Sequence, residues 1–247
     1  MIELTERDGV VLLRLADGKA NAMSLEFCEA LTARFAALSN ARAVVLTGSG
    51  HIFSAGVDLK RLVEGGAAYV RKFLPALSTM LATVFSHPAP VVAAINGHAI
   101  AGGCILACAA DRRLMAHDGG RIGVTELLVG VPFPPVAMEI MRCAIAPQFF
   151  ADAIFSGATY MPLEAAGRGL VHDVVDPQAL LDRAVEAANV LAALPPEVYA
   201  LSKRQTRQPA LERMKNPDLD AAIEQIWTAP ETLARVRDYV ARTLHKS

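Results

Sequence analysis

Between Lys72 and Asp111 the chain carries no Asp, Glu, Lys or Arg. A charge-free run from Phe73 to Ala110 has two destinations, a lipid bilayer or a dry protein core. A membrane-spanning helix wants about 20 consecutive, predominantly apolar residues. This run does not supply them, because Pro88 and Pro90 break it and Asn96, Gly97 and His98 break it again. The apolar pieces left over, Val91 to Ile95 and Ala99 to Ala110, are each too short to span. The run therefore belongs inside a protein, and 247 residues are enough to enclose it. The chain as a whole agrees, with AVILMFWYC at 53% and charged residues at 20%, somewhat more apolar than an ordinary globular domain.

Several function classes fall away on composition. The first residues, MIELTERDG, carry acids in a strand-like rhythm and no basic n-region or apolar h-region, so a cytoplasmic location is expected and a membrane partner is not. A net charge of −1 with scattered Lys and Arg gives no footprint for nucleic acid. The four cysteines, Cys28, Cys104, Cys108 and Cys143, read as reduced thiols. Cys104 and Cys108 can share a helix face, but zinc needs two more ligands, and the six histidines hold no pair at metal spacing. No metal site is expected. There is no G-x-S-x-G elbow and no Walker A, and Gly48-x-Gly50 lacks the rest of a dinucleotide fingerprint.

Strand and helix patterns alternate along most of the chain. A hairpin turns at Asp8-Gly9, and Ser24 caps a helix that carries Leu25, Cys28, Leu31, Phe35 and Leu38 and ends near Asn40. A strand at Ala43 to Leu46 leads into Thr47-Gly48-Ser49-Gly50. A long helix covers Tyr69 to Phe85, a buried strand covers Val91 to Ile95, and Ala99 to Ala110 reads as a buried helix. Asp111 to Met115 is another strand, and Arg121 to Val124 a short extended piece. The alternation predicts an α/β architecture whose parallel sheets account for the continuous apolar runs. The character changes at about residue 195. Glu197 to Gln205, Asp218 to Thr228 and a helix opened by Pro230 follow, the last with Leu233, Val236, Val240 and Leu244 on one face. We therefore expect a core over residues 1–194 and a helical region over 195–247 whose apolar face needs its own core or another subunit.

Two segments set glycine between a strand and a helix: Phe53-Ser54-Ala55-Gly56-Val57-Asp58-Leu59 and Asn96-Gly97-His98-Ala99-Ile100-Ala101-Gly102-Gly103-Cys104. Glycine there lets the backbone turn sharply and approach a ligand, and N–H groups at a helix start attract negative charge. Two such donors meeting at one point would make an oxyanion hole. Taken singly, each segment reads more readily as a tight turn with small residues for helix packing. Asp58 and Asp111 sit at junctions where carboxylates cap backbone N–H groups. His98 reads as structural, and Val131-Pro132-Phe133-Pro134-Pro135 as a rigid wall and helix start. The cations Lys203, Arg204, Arg207, Arg213 and Lys215 form either a solvated helix face or a phosphate contact.

The two glycine segments, in this order and at this separation, resemble the crotonase, or enoyl-CoA hydratase/isomerase, superfamily. The resemblance extends to Lys19-Ala20-Asn21-Ala22-Met23-Ser24, Val44-Val45-Leu46-Thr47-Gly48, Val91 to Gly97, Phe155-Ser156-Gly157 and Ala165 to Val171. It implies a spiral of ββα units with a C-terminal helical region that forms trimers, singly or as a dimer of trimers. It also implies acyl-CoA thioester ligands. By the same resemblance the N–H groups of Val57 and Gly102 form the oxyanion hole. The loops holding Ala20, Ala22, Ala55, Gly56, Asp58 and Leu59, with Gly103 and Thr125, hold the CoA. No cofactor is implied, CoA being part of the substrate.

The departures from the family pattern bear on the reaction. Hydratases of the family use two glutamates. The first position is Ile105 here, while the second is matched by Glu126 in Ile122-Gly123-Val124-Thr125-Glu126-Leu127. Locally Glu126 reads as an ordinary solvated or salt-bridged glutamate; the register with the family motif implies a proton shuttle. Hydration needs two groups to handle water and a second proton, whereas a double-bond shift from 3-enoyl-CoA to 2-enoyl-CoA needs one. The expected reaction is this isomerisation, with Ile105 drying the pocket and raising the Glu126 pKa. Hydration, thioester hydrolysis, or CoA-ester binding without turnover remain the alternatives.

Overall fold

The computed structural model describes residues 2–244. The chain opens with β1 (Ile2–Arg7), β2 (Val10–Leu15) and α1 (Leu25–Ala37). Asp8 and Gly9 both have positive φ, 53° and 75°, which closes the β1–β2 hairpin in the sense its strand twist requires. A strand–strand–helix unit then repeats three times. The units are β3 (Val44–Thr47), β4 (Ile52–Ser54) and α2 (Leu59–Ser86); β5 (Val91–Ile95), β6 (His98–Ile100) and α3 (Gly102–Ala109); and β7 (Arg112–Ala116), β8 (Ile122–Gly123) and α4 (Glu126–Val129). After these come α5 (Pro135–Ala144), α6 (Pro147–Ser156), β9 (Thr159–Tyr160), α7 (Pro162–Gly167), β10 (Asp173–Val175), α8 (Leu180–Ala192), α9 (Pro196–Arg213), α10 (Pro217–Thr228) and α11 (Pro230–Leu244).

The repeat winds the chain into a spiral. The first strand of each unit enters one sheet, ordered β1-β2-β3-β5-β7-β10, and the second enters another, ordered β4-β6-β8-β9. Pairing from β2 through β3, β5 and β7 to β10 is parallel throughout. Both faces of the inner strands β3 and β5 are covered, which is why these read as unbroken apolar runs. Val10, Val45, Val92 and Leu114 pack against Leu180, Ala184 and Ala188 of α8. Leu13, Leu46, Ala93 and Met115 face the main core with α1, α2 and α3.

The elements differ from the sequence reading at four places. Ala99 and Ile100 belong to strand β6, and α3 starts only at Gly102. Pairing with β4 and β8 overrides the helix preference of an alanine-rich stretch. The helix expected from Tyr69 begins at Leu59 and kinks at Gly66, whose φ of 58° and ψ of −156° are not helical. α1 ends at Ala37, short of Asn40. α9 runs through Pro209 to Arg213, well past Gln205. The C-terminal helices lay their apolar face on this chain's own core: Ala210, Ile223, Trp227 and Val236 are buried there. The Leu244 side chain lies outside the described residues.

Candidate active site

The two glycine segments meet. Each follows a strand of the smaller sheet, β4 for the first and β6 for the second, and those strands pair in parallel. Met23 then clamps the first segment, donating its N–H to Gly56 O at 2.8 Å and accepting from Asp58 N–H at 3.0 Å. A strand-like bridge of this kind turns the Val57 N–H away from Met23. In the second segment Ala101 adopts φ 52° and ψ −123°, a conformation L residues rarely take, and its N–H donates to Gly123 O at 2.8 Å. Backbone strain of this kind costs about 1–3 kcal/mol and persists only where the surroundings impose it. Here it swings the first amide of α3 toward the other segment. A Cβ built on Gly102 would lie 3.7 Å from Val57 N, and one on Gly56 would lie 2.8 Å from Gly102 N. Among the described residues neither the Val57 nor the Gly102 amide has a protein acceptor. The site thus presents two adjacent, undonated N–H groups, one at a helix N-terminus.

The glycines have different tasks. Gly56 has φ 84°, and a side chain there would strike Ile100 O and Gly102 N, both at 2.8 Å. Gly103 is needed for close packing, since a Cβ would stand 2.2 Å from Ser54 O. Gly102 alone has some room, its nearest neighbour being the Met23 sulfur at 3.1 Å.

Glu126 is the first residue of α4 and is 7% exposed. Its carboxyl sits in dry surroundings that push its pKa up to about 7, although backbone hydrogen bonds from its own N–H and that of Thr125 oppose the rise. Its Oε2 is buried without a protein partner. Burial holds the Cys104 thiol, in the first turn of α3, well up, and the Glu126 charge adds to the rise. Ile105 is 3% exposed and lies in the same apolar cluster as Val124, Val129, Val131 and Phe133. The strands fix this proximity: Ile100 pairs with Gly123, so Gly102 and Glu126 follow neighbouring strand ends.

A cavity of about 540 Å3 opens beside Val57 and is lined by Ala20, Ala22, Ala55, Asp58 and Leu59. It brings together most of the residues expected at the CoA. Gly56, Gly103 and Thr125 do not line it: Gly56 lies against Ile100 O and Gly102 N, Gly103 against the β4 backbone, and Thr125 is buried ahead of α4. Asp58 is spent as a helix cap, its Oδ1 accepting from Lys60 and Arg61 N–H at 3.1 Å each. Tyr239, Val240 and Thr243 of α11 also line the cavity, a contribution no local pattern announces. Asn21 was missed as well. It is fully buried at φ 45°, accepts from Asp17 N–H at 2.8 Å and donates to Phe53 O at 3.1 Å, tying the loop at Ala20 to β4. The signal was available, because asparagine tolerates the left-handed region better than other non-glycine residues.

Of the expected cations, Arg204, Arg213 and Lys215 are exposed while Lys203 and Arg207 are turned inward, and none of the five lines this cavity. Lys203 pairs with Asp111 at 2.7 Å, Arg207 with Asp111 at 2.8 Å, and Arg213 with Glu139 at 2.7 Å. Asp111 also accepts from Val91 N–H at 2.7 Å. Cys28, Cys104 and Cys108 are buried and Cys143 is exposed. No helix among the described residues is long and apolar enough to cross a membrane.

Comparison with known proteins gives the same picture. Residues 5–230 match the enoyl-CoA hydratase/isomerase family. A putative enoyl-CoA hydratase of Thermus thermophilus is 36% identical over 165 residues, covering 66% of this chain and 64% of that protein, just under two thirds of its length. The mitochondrial enoyl-CoA delta isomerase 1 of Homo sapiens is 28% identical over 220 residues, covering 87% of this chain and 72% of that one. The crystal structure of human mitochondrial delta3-delta2-enoyl-CoA isomerase superposes with a TM-score of 0.95 over 100% of this chain and 99% of that one at 24% identity, a likeness of fold. An enoyl-CoA isomerase of Mycobacterium tuberculosis superposes with a TM-score of 0.81 at 30% identity over 91% and 96% of the two chains. With the spiral of strand–strand–helix units and the paired glycine segments, these matches establish that the chain belongs to the enoyl-CoA hydratase/isomerase family and has the crotonase fold.

Proposed function

We propose that this chain shifts a double bond in an acyl-CoA thioester, from 3-enoyl to 2-enoyl. The thioester oxygen sits between the N–H groups of Val57 and Gly102, and Glu126 is the single proton shuttle. In its ionised form Glu126 takes a proton from C2. The electron pair left behind delocalises over the carbonyl and the neighbouring double bond, placing negative charge on the thioester oxygen. Two fixed amides facing that oxygen stabilise the charge; removing one such donor in other enzymes costs about 3–4 kcal/mol. Protonated Glu126 then returns the proton at C4, the double bond moves to C2–C3, and no water is consumed. The observation carrying this reading is Glu126 itself. It is buried, with one oxygen free and a pKa near 7, while the position of a second glutamate holds buried Ile105 and Asp58 is spent on capping. A group that must both take and give a proton works best near ambient pH.

Hydration or thioester hydrolysis is the second reading, favoured by relatives such as the Thermus thermophilus protein that are described as hydratases. Assay of 3-enoyl-CoA esters in 18-O water separates the two, since isomerisation yields 2-enoyl-CoA free of label. Glu126→Gln should abolish turnover while acyl-CoA still binds; retained isomerisation would sink the assignment. Binding of acyl-CoA with no turnover of any ester by the native chain would leave a silent CoA-ester binder. Assembly as a homotrimer or dimer of trimers belongs to the same reading, and exposed Leu128, Phe155 and Leu163 supply apolar surface for it. Light scattering gives the subunit count.

A further inference from the structure

Helix α3 carries one of the two amides and has unusual means of staying in place. Its sequence, Gly-Gly-Cys-Ile-Leu-Ala-Cys-Ala, is entirely buried and offers no side chain able to cap its own ends. Its two thiols, Cys104 and Cys108, are buried one helical turn apart. Apolar packing around such a rod is non-directional. Close packing of Gly103 on β4 fixes the distance of α3 from that strand, and polar contacts at its two ends oppose sliding along its axis. At the N-terminal end stands strained Ala101. At the C-terminal end the orphan carbonyls that every helix leaves are met from outside. Arg113 Nη1 donates to Ala110 O at 3.3 Å, and Arg207 Nη1 donates to Ala109 O at 3.3 Å. The same Arg207 nitrogen bonds Phe85 O at the end of α2, its guanidinium lies 4.1 Å over the Phe85 ring, and its Nη2 pairs with Asp111. Lys203 holds the other Asp111 oxygen and Ala89 O at 3.1 Å.

We propose that Arg207, on the far side of α3 from the glycine segments, is a positioning residue for the Gly102 amide. It clamps the C-terminal end of α3 to α2 and to Asp111, so that the strain at Ala101 cannot relax by a shift or rotation of the helix. This rests on the reading of Val57 and Gly102 as the oxyanion donors. Lysine in its place keeps a charge beside Asp111 but cannot span Phe85 O, Ala109 O and Asp111 with one planar fork.

The test follows the carbonyl stretch of a bound saturated acyl-CoA labelled with 13C at the thioester, which reports polarisation by the two amides without turnover. In the native protein the band should move to lower frequency on binding. In Arg207→Lys, chosen because it keeps the buried charge and favours folding, part of that displacement should vanish and kcat for 3-enoyl-CoA should fall about tenfold or more. The dissociation constant for the saturated ester should stay within about twofold, because Arg207 does not line the cavity at Ala20 and Leu59. Adding Ala101→Gly, which removes the strain that drives the shift, should restore much of the band displacement and of kcat. The exposed control Arg204→Met should match the native protein. No displacement in the native protein would overturn the oxyanion reading itself, and this proposal with it. A native displacement that Arg207→Lys leaves intact, or a loss that tracks melting temperature and is not rescued by Ala101→Gly, would overturn the role of Arg207 alone.

Discussion

Glu126 is held in a place where its charge is unwelcome, and pH makes that visible. Its carboxyl keeps a proton up to about pH 7 in the folded chain, whereas in the unfolded chain it loses it near the usual carboxylate value. Between those two values the folded state binds the extra proton, so the Glu126 contribution to stability is full below the unfolded pKa and is lost as pH rises through 7. Glu126→Gln removes the titration. The variant should be inactive and, above pH 7, more stable than the native chain by up to about 3 kcal/mol at the conversion of 1.36 kcal/mol per pKa unit. Below pH 4 the two should melt alike; thermal melts at pH 4 and pH 8 decide it. The same titration predicts that kcat/KM rises with pH and levels off above about 7, since the free enzyme must present the carboxylate. Asn21 makes a second case. Asn21→Ala loses the buried hydrogen bonds and keeps the unfavourable φ, and should cost about 2–4 kcal/mol by denaturant melts. Asn21→Gly relieves φ alone and should cost measurably less.

At the scale of elements, the adjacent glycines at the start of α3 separate chemistry from architecture. Gly103→Ala places a methyl group 2.2 Å from Ser54 O, a backbone atom that cannot yield, so α3 must leave β4 and the chain should fail to fold or lose several kcal/mol. Gly102→Ala meets only the flexible end of Met23 at 3.1 Å and stands 3.7 Å from Val57 N. It should melt within a few degrees of the native chain yet lose about tenfold or more of its turnover by crowding the amide pair. Sequence alone located both glycine segments because strand, glycine and helix onset are local signals. It misjudged where β6 gave way to α3, because the decision between strand and helix at Ala99 and Ile100 was made by partners in β4 and β8. It also could not tell which helix cations face water, since Lys203 and Arg207 find Asp111 across some ninety residues of chain.

The whole molecule adds what no segment contains. The spiral follows from repetition of a unit whose first strand always enters one sheet and whose second always enters the other, and the resemblance to a known family supplied that winding where periodicity gave only an α/β alternation. The cavity beside Val57 is likewise a product of tertiary assembly, its walls coming from the loop at Asp17 to Ala22, the start of α2 and the last turns of α11. Its walls carry Lys19 and Lys60, both exposed, together with apolar Ala20, Ala22, Ala55 and Leu59 and with Val57 of the amide pair. A ligand with a polyanionic end and a thioester end would lie with its phosphates at those lysines and its carbonyl at Val57. Exposed charges act weakly, so Lys19→Glu and Lys60→Glu should each raise KM for an enoyl-CoA about threefold and leave kcat alone. The effect should shrink when salt rises from 50 to 500 mM, as the screening length falls well below the cavity's dimensions. An N-acetylcysteamine thioester of the same acyl chain lacks the phosphates, and its kinetics should be the same in native and lysine-reversed proteins. Tyr239→Ala, which opens the α11 wall without altering charge, should raise KM for the CoA ester at either salt concentration. If charge reversal at Lys19 and Lys60 changed the truncated thioester as much as the full CoA ester, the phosphates would lie elsewhere, and the orientation of the ligand in this cavity would have to be reversed.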